Sequence, residues 1–244
     1  MSSRQLLFVP LGLLCLFGVH CNQGSQSPTP TQSETPTQTA GATACRGIDV
    51  SHYSGAVDWT KVKSDGYAFA FTKATEGVDW IDPELGTNLP GIKAAGLVRG
   101  AYHFYVVGDD PHQQAQNFIK NTPLVKGDLV PVVDIETANQ NISEPLLAED
   151  LRTFLDVLET HFGGVPAIYT GPSFWNQHLS DEDFTRYPLW LAQYEVSKPQ
   201  PPGKWTSYWL WQSAENQTVA GVTNNADLNQ CGEDSQAFFS KTLQ

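Results

Sequence analysis

The sequence predicts an α/β fold whose parallel strands close into a barrel, and three observations carry that expectation. Short β-rich runs alternate with amphipathic helical stretches from residue 45 onward. The run 129–135 is apolar almost throughout, as a strand buried on both faces should be. The alternation then fades after Ala167–Thr170, so the barrel should carry fewer outer helices in its second half. Residues 44–244 are also fewer than the about 250 of a complete eightfold barrel. An open doubly wound sheet is the alternative. No glycine-rich phosphate loop follows any strand, which argues against nucleotide binding.

The elements follow in order. Arg46–Val50 reads as the first strand. Residues 58–64 read as a helix, with Trp59, Val62 and Lys63 at three-to-four spacing. Residues 67–72 are strand-like, and 84–95 are helical with Gly96 as the stop. Residues 98–105 form the third strand, and 111–120 a helix opened by Asp110-Pro111. The fourth strand is 129–135. Glu144–Phe162 is the longest helix, with Leu147, Leu151, Phe154, Leu155 and Leu158 on one face and Gly163-Gly164 behind it. Ala167–Thr170 is the fifth strand. Residues 189–193 and 209–212 look like strands with little helix between them, and 217–229 read as a hairpin-like region.

Residues 1–23 read as an export signal. Arg4 supplies the positive start, and 6–19 form an apolar run broken only by Pro10 and two glycines. That run is too short to cross a bilayer and suits a signal peptide core. Cys21 is a candidate lipid-bearing cysteine; simple secretion is the alternative, because Gly18-Val19-His20 matches the usual Leu-Ala-Gly pattern poorly. Residues 24–43 are rich in Gln, Ser, Thr, Pro and Gly and nearly free of bulky apolar groups. Such a segment cannot bury enough surface to fold, and reads as a disordered tether ahead of a domain at 44–244.

Net charge is -12, and Arg4 and Glu34 cancel within the first 43 residues, so the deficit lies in the folded part. Nucleic acid and anionic lipid are thereby disfavoured as partners, since both need basic patches. A lipid on Cys21 is the one route to a membrane, and no obligate protein partner is implied. Of four cysteines only Cys45 and Cys231 belong to the folded part, near its two ends. In an exported domain that arrangement suggests a disulfide, with two free buried thiols as the alternative. The six histidines are scattered, and no Cys or His cluster has metal-ligand spacing. His52 and His103 read as structural hydrogen-bonding groups as readily as anything else. Aromatic residues make up 11% of the chain while charged ones reach only 16%. Such rings pack a core or line a groove, where they can face the apolar side of a pyranose.

The sharpest chemical feature is Val130-Pro131-Val132-Val133-Asp134-Ile135-Glu136. An apolar strand ends in two carboxylates at i and i+2, and strand alternation sends both to one side. Two carboxylates so close, on a buried strand, resist double ionisation. One then holds a proton beside an anion, which is what cleavage of a glycosidic bond requires. Barrel enzymes place such groups at the C-terminal ends of strands. Asp49 ends the first strand and Asp227 lies near the end of the chain. In a closed barrel those strands are neighbours, so both carboxylates can flank the same pocket. Each also has a plainer reading, Asp49 as a turn cap and Asp227 as a turn residue after Asn224-Asn225.

Taken together, a series of short motifs resembles family 25 of the glycoside hydrolases, the Chalaropsis-type lysozymes. The motifs are Gly47-Ile48-Asp49-Val50-Ser51, Phe71-Thr72-Lys73-Ala74-Thr75-Glu76-Gly77 and Gly100-Ala101-Tyr102-His103-Phe104. They continue with Pro131 through Glu136, Leu189-Trp190-Leu191-Ala192, Trp211-Gln212, Gly221-Val222 and Asp227-Leu228-Asn229. The resemblance implies a flattened TIM-like (β/α)5β3 barrel and cleavage of the β-1,4 bond between N-acetylmuramic acid and N-acetylglucosamine in bacterial peptidoglycan, with no metal or cofactor. It implies Glu136 as general acid and Asp134 as its assistant, steering Glu136 or holding the substrate's acetamido group. It further implies Asp49 and Asp227 completing the acidic pocket, and Tyr102, Tyr169 and Trp190 holding the sugar. Both stereochemical courses stay open, retention by substrate assistance and inversion. Lys73 and Glu76 belong to the resemblance and read as a structural ion pair or loop contact.

The chain departs from the family pattern after Trp211-Gln212, where Ser213-Ala214-Glu215-Asn216 replaces an aromatic followed by serine. Two other functions compete with muramidase activity. A chitinase-like hexosaminidase could use the same Asp-X-Glu pair, but Leu129 and Val132 stand where a chitinase carries further acidic residues. A non-catalytic glycan-binding protein on the same scaffold is disfavoured by the presence of all four pocket carboxylates.

Overall fold

The computed structural model describes residues 45–138, 143–232 and 235–244. The export segment 1–23 and the tether 24–43 expected from the sequence lie outside the described residues. Strands β1 (Arg46–Val50), β2 (Phe69–Glu76), β3 (Trp80–Ile81) and β4 (Val98–Phe104) come first in order. After them run β5 (Val132–Asp134), β6 (Ala167–Thr170), β7 (Leu189–Ala192), β8 (Leu210–Gln217) and β9 (Ala226–Cys231). The helices are α1 (Trp59–Ser64), α2 (Leu85–Ala94), α3 (Pro111–Asn121), α4 (Glu144–Phe162), α5 (Pro172–His178) and a final α6 (Ser235–Phe239).

The strands run in the order β1-β9-β8-β7-β6-β5-β4-β2, and β1 also pairs with β2, so the sheet closes into an eight-stranded barrel. β3 is a short ribbon folded back on the end of β2. Apart from the β3 ribbon, which is antiparallel to β2, neighbouring strands from β1 through β8 pair in parallel. β9 alone is antiparallel to both of its neighbours, β8 and β1. One helix follows each of the first five barrel strands in parallel order, and none separates the last three. The fold is thus the expected TIM-like (β/α)5β3 barrel, and the open doubly wound sheet is excluded by closure.

Individual elements differ from expectation for identifiable reasons. The expected strand 129–135 shortens to Val132–Asp134. Pro131 has no N–H for the ladder, and Leu129 makes only an isolated bridge to Thr242. β2 runs on to Glu76 instead of ending at Thr72, because β4 and β3 capture it on both edges, with a register shift between Lys73 and Thr75. α5 was not expected: at seven residues it carries barely two turns of periodic signal, although Pro172 sits at its first turn where proline is favoured. The region 217–229 holds the end of β8, the connection and the first part of β9 in an antiparallel β8–β9 pair, with β8 extended to Gln217.

Aromatic rings fill the barrel. Phe71 lies 4.5 Å from Trp190, Phe69 lies 4.4 Å from Phe238, and Phe238 stacks on Trp209 at 4.9 Å, all ring to ring. These rings need space on the facing strands. A Cβ on Gly47 would come within 2.2 Å of Phe69, and one on Gly100 within 2.2 Å of Phe71, so neither position admits a side chain. The helical face read from Leu147, Leu151, Phe154, Leu155 and Leu158 is fully buried against the barrel. Cys45 and Cys231 are joined by a disulfide at the start of β1 and the end of β9, which staples the antiparallel seam. Because β9 runs backward, this staple sits at the end of the barrel opposite the C-terminal ends of the parallel strands.

Candidate active site

The parallel strands end in polar side chains that meet over the aromatic core. One row crosses the sheet as in-register partners, Phe104 to Asp134 to Tyr169 to Trp190. Partners in a parallel ladder send their side chains to the same face, so this row lines one wall of the barrel mouth. Across the seam, Asp49 on β1 is the partner of Asp227 on β9. A single pocket is lined by Asp49, Asp134, Glu136 and Asp227 together with Tyr102, Tyr169 and Trp190. Every catalytic and sugar-holding position expected from the sequence is therefore gathered in one place. Lys73, Tyr53 and Gln212 share the same lining.

Asp134 is 7% exposed at the base, while Glu136, two residues past it, is exposed at the mouth. Burial raises the Asp134 carboxyl well above its ordinary range, and the neighbouring Glu136 charge adds to that, while Lys73 opposes it. Glu136 is also raised, first by partial removal from water, with Lys73 again opposing and Asp227 and Glu215 adding. The pair thus keeps a proton at a pH where an isolated carboxylate has lost it. Asp134 Oδ1 is buried and has no hydrogen-bond partner among the described residues. A buried orphan acceptor at the base of a pocket is costly unless something that enters satisfies it.

Asp49 is held differently. Its Oδ2 accepts from Asn229 Nδ2 at 2.7 Å and from Gln212 Nε2 at 2.9 Å. Burial and the facing Asp227 nevertheless push its pKa up to about 7, because the two amides only partly offset them. Both amides use Oδ2, which leaves Oδ1 to carry the proton. The amides are themselves fixed. Asn229 Oδ1 accepts from the Trp190 indole N–H at 2.8 Å, and Gln212 Oε1 accepts from the Tyr169 hydroxyl at 2.8 Å and from the Tyr194 hydroxyl. Asp227 accepts at Oδ1 from the backbone N–H of Asn216 at 2.7 Å, which holds Asn216 at a positive φ of 56° on the rim.

Sequence reasoning named Gln212 and Asn229 within motifs but assigned them no task, and it did not single out Tyr194. Only their position beside the acidic strands could have signalled them. Trp190 is 1% exposed and packs edge-on to Tyr169 at 5.1 Å and Tyr102 at 6.4 Å. It supports the two tyrosines from below and aims its N–H at Asn229, so of these three rings Tyr102 is the most accessible. Lys73 is paired with Glu76 at 2.6 Å and lies over the rings of Trp80 and Phe104. His103 is fully buried between Thr75 and Gln114 and away from the pocket lining, a structural role. Among the described residues no three His, Cys, Asp or Glu side chains gather in an arrangement that could hold a metal.

Such a site can donate a proton from Glu136, present a negative or hydrogen-bonding group at Asp134, and enclose a sugar ring between tyrosines and acids. Residues 48–222 match the model of the glycosyl hydrolases family 25. Lysozyme M1 of Streptomyces globisporus is 31% identical over 201 residues, 78% of this chain and 68% of that protein. The uncharacterised protein YegX of Escherichia coli K12 is 32% identical over 200 residues, 79% of this chain and 72% of that one. The crystal structure of a bacterial lysozyme from Streptomyces coelicolor superposes with a TM-score of 0.78 at 29% identity, covering 83% of this chain and 98% of the other.

Proposed function

We propose, from the premise that this chain belongs to glycosyl hydrolase family 25, that it is a lysozyme cutting the β-1,4 bond between N-acetylmuramic acid and N-acetylglucosamine. One observation carries the division of labour: Asp134 and Glu136 share a pocket, one buried at its base and the other open at its mouth. Glu136 is the member that can reach a glycosidic oxygen, and its raised pKa keeps a proton available to the leaving group. Asp134, with Oδ1 unpartnered, receives the acetamido N–H of the sugar or faces the positive charge that develops at the anomeric carbon. Asp49 and Asp227 complete the pocket and, with the amides of Gln212 and Asn229, set its shape. Tyr102 offers a ring face to the sugar, while Tyr169 and Trp190 brace it.

The substrate lies outside the membrane, which fits the export segment read in residues 1–23. Residues 24–43 then act as a spacer, and a lipid on Cys21 would hold the enzyme at a membrane surface within reach of the wall.

The decisive experiment is Glu136→Gln with purified peptidoglycan, reading new reducing ends and identifying fragments by mass spectrometry. The expected loss is about 10²–10⁴-fold, the usual range for a positioned general acid. The thermal midpoint should stay put, because the side chain is exposed. A variant that kept near-normal rates, or fragments with N-acetylglucosamine at the new reducing end, would remove this reading.

A further inference from the structure

We infer that the enzyme has a second saccharide position outside the catalytic pocket, built on an aromatic strip of Tyr53, His52 and Trp80. The inference rests on the glycosidase reading above and extends it to where the rest of the glycan strand lies.

Tyr53 lines the catalytic pocket and is nevertheless 76% exposed. The His52 ring lies 3.9 Å from it, and the Trp80 ring, 36% exposed, lies 5.2 Å beyond His52. The strip therefore starts at the pocket and runs outward along one lip, from the turn after β1 to the β3 ribbon. Single exposed aromatics need no explanation, but a contiguous series leading out of a ligand site does.

The strip is also rigid. His52 is clamped to Asp82 through two contacts to the same carboxylate oxygen, its backbone N–H at 3.0 Å and ring Nδ1 at 2.8 Å. Asp82 is itself buried at 1% exposure. Residues 52–54 form a single 3-10 turn with a capping box between Ser51 and Ser54. The Tyr53 carbonyl accepts from Asn224 Nδ2 at 2.8 Å, which ties the turn to the loop before β9. Trp80 is fixed from behind, where its carbonyl accepts from Asn117 and its ring covers the Lys73 ammonium. An exposed ring ordered before binding loses little entropy when a pyranose stacks on it. Among the described residues Tyr53 is left mostly exposed, and its continuity with the pocket names the occupant. The occupant is the sugar adjoining the one held over Asp134, with Trp80 reaching the unit beyond.

The test measures binding in the Glu136→Gln background, so that no substrate is consumed. The probes are peptide-free peptidoglycan glycan fragments, a disaccharide and a hexasaccharide. Trp80→Ala should weaken hexasaccharide binding about tenfold, the scale of one desolvated aromatic contact, and leave the disaccharide within about twofold. Tyr53→Ala should weaken both, and Tyr53→Phe and Trp80→Tyr should restore binding, since the ring face and not its polar tip makes the contact. Hexasaccharide binding unchanged in Trp80→Ala, or a loss equal at both lengths, overturns the inference. Residual cleavage by the Glu136→Gln background would instead count against the choice of acid, and it is read separately from these dissociation constants.

Discussion

Asp49 and Asp227 stand opposite one another in register across the antiparallel seam that closes the barrel, two carboxylates on facing strands. Like charges so placed destabilise a sheet. The fold accommodates them by keeping Asp49 protonated to about pH 7 and by giving Asp227 a backbone donor from Asn216. Stability has been yielded here to assemble a pocket, as is common at active sites.

The first prediction concerns that pair. A folded-state pKa raised from 3.8 to about 7 means that the native protein binds more protons than the unfolded chain between those values. The contribution of Asp49 to stability is therefore fully present below pH 3.8 and is lost as pH rises through about 7. Asp227→Asn removes the facing charge. It should lower the Asp49 pKa, and raise the thermal midpoint at pH 7 by roughly 2–4 °C for about 1 kcal/mol. NMR titration of the Asp49 carboxyl and melting curves at pH 7 measure both. A lower midpoint would show that the Asn216 contact outweighs the repulsion.

Lys73 is a cation that opposes the upward shift of both the Asp134 and the Glu136 carboxyl, and it is 8% exposed. Lys73→Met keeps the length of the side chain and removes the charge. The proton on the acid should then persist to higher pH, so the alkaline limb of kcat/KM against pH moves up by about one unit. A limb that stays in place would mean that the Lys73–Glu76 pair is electrostatically silent at the acid.

His103 should make the fold sensitive to acid. Gln114 Oε1 already accepts from the Val106 N–H and stands 3.1 Å from His103 Nε2, while Thr75 Oγ1 stands 2.8 Å from Nδ1. One neutral tautomer satisfies both, with Nε2 donating and Nδ1 accepting. Burial lowers its pKa from 6.5 to about 3. Stability is thus present above pH 6.5 and is lost as pH falls toward 3. Asp49 works in the opposite sense over an overlapping range, so Asp49→Asn should steepen the fall in urea midpoint between pH 6.5 and 4. An unchanged slope would show that Asp49 is not the opposing group.

The Cys45–Cys231 bond closes a loop with a sequence separation of 186. A chain-entropy estimate for a loop of that size is about 5 kcal/mol, and native bridges usually contribute 2–5 kcal/mol. Cys45→Ser with Cys231→Ser should lower the thermal midpoint by roughly 5–15 °C. Because the bridge lies at the opposite end of the barrel, kcat well below the midpoint should hardly change. Equal melting curves with and without reductant would show that the seam is held by its strand pairing alone.

Much of the architecture was legible residue by residue. Helix α4 coincides with its reading at both ends, since a run of nineteen residues with one apolar face and glycine at Gly163 leaves little choice. Strand ends were less legible. Whether β2 stops at Thr72 or runs to Glu76 depends on which strands flank it, and Pro131 cut β5 short. In the site, the i, i+2 spacing of Asp134 and Glu136 was enough to place both on one wall. The amides of Gln212 and Asn229 were not legible as functional groups, because the carboxylate they hold lies 163 and 180 residues away.

By itself the sequence determined the succession of the first five barrel strands with the four helices between them, and the acidic pair at the end of β5, because periodicity and alternation follow from local backbone geometry. Only the tertiary structure decided that β9 returns antiparallel to set Asp227 against Asp49, that Trp190 lies beneath the tyrosines, and that Glu136 is the exposed member of its pair. Those outcomes depend on barrel closure, which brings distant strands together and sets how much water each carboxyl keeps. The proton affinities of the site follow from that solvation and not from the order of the residues.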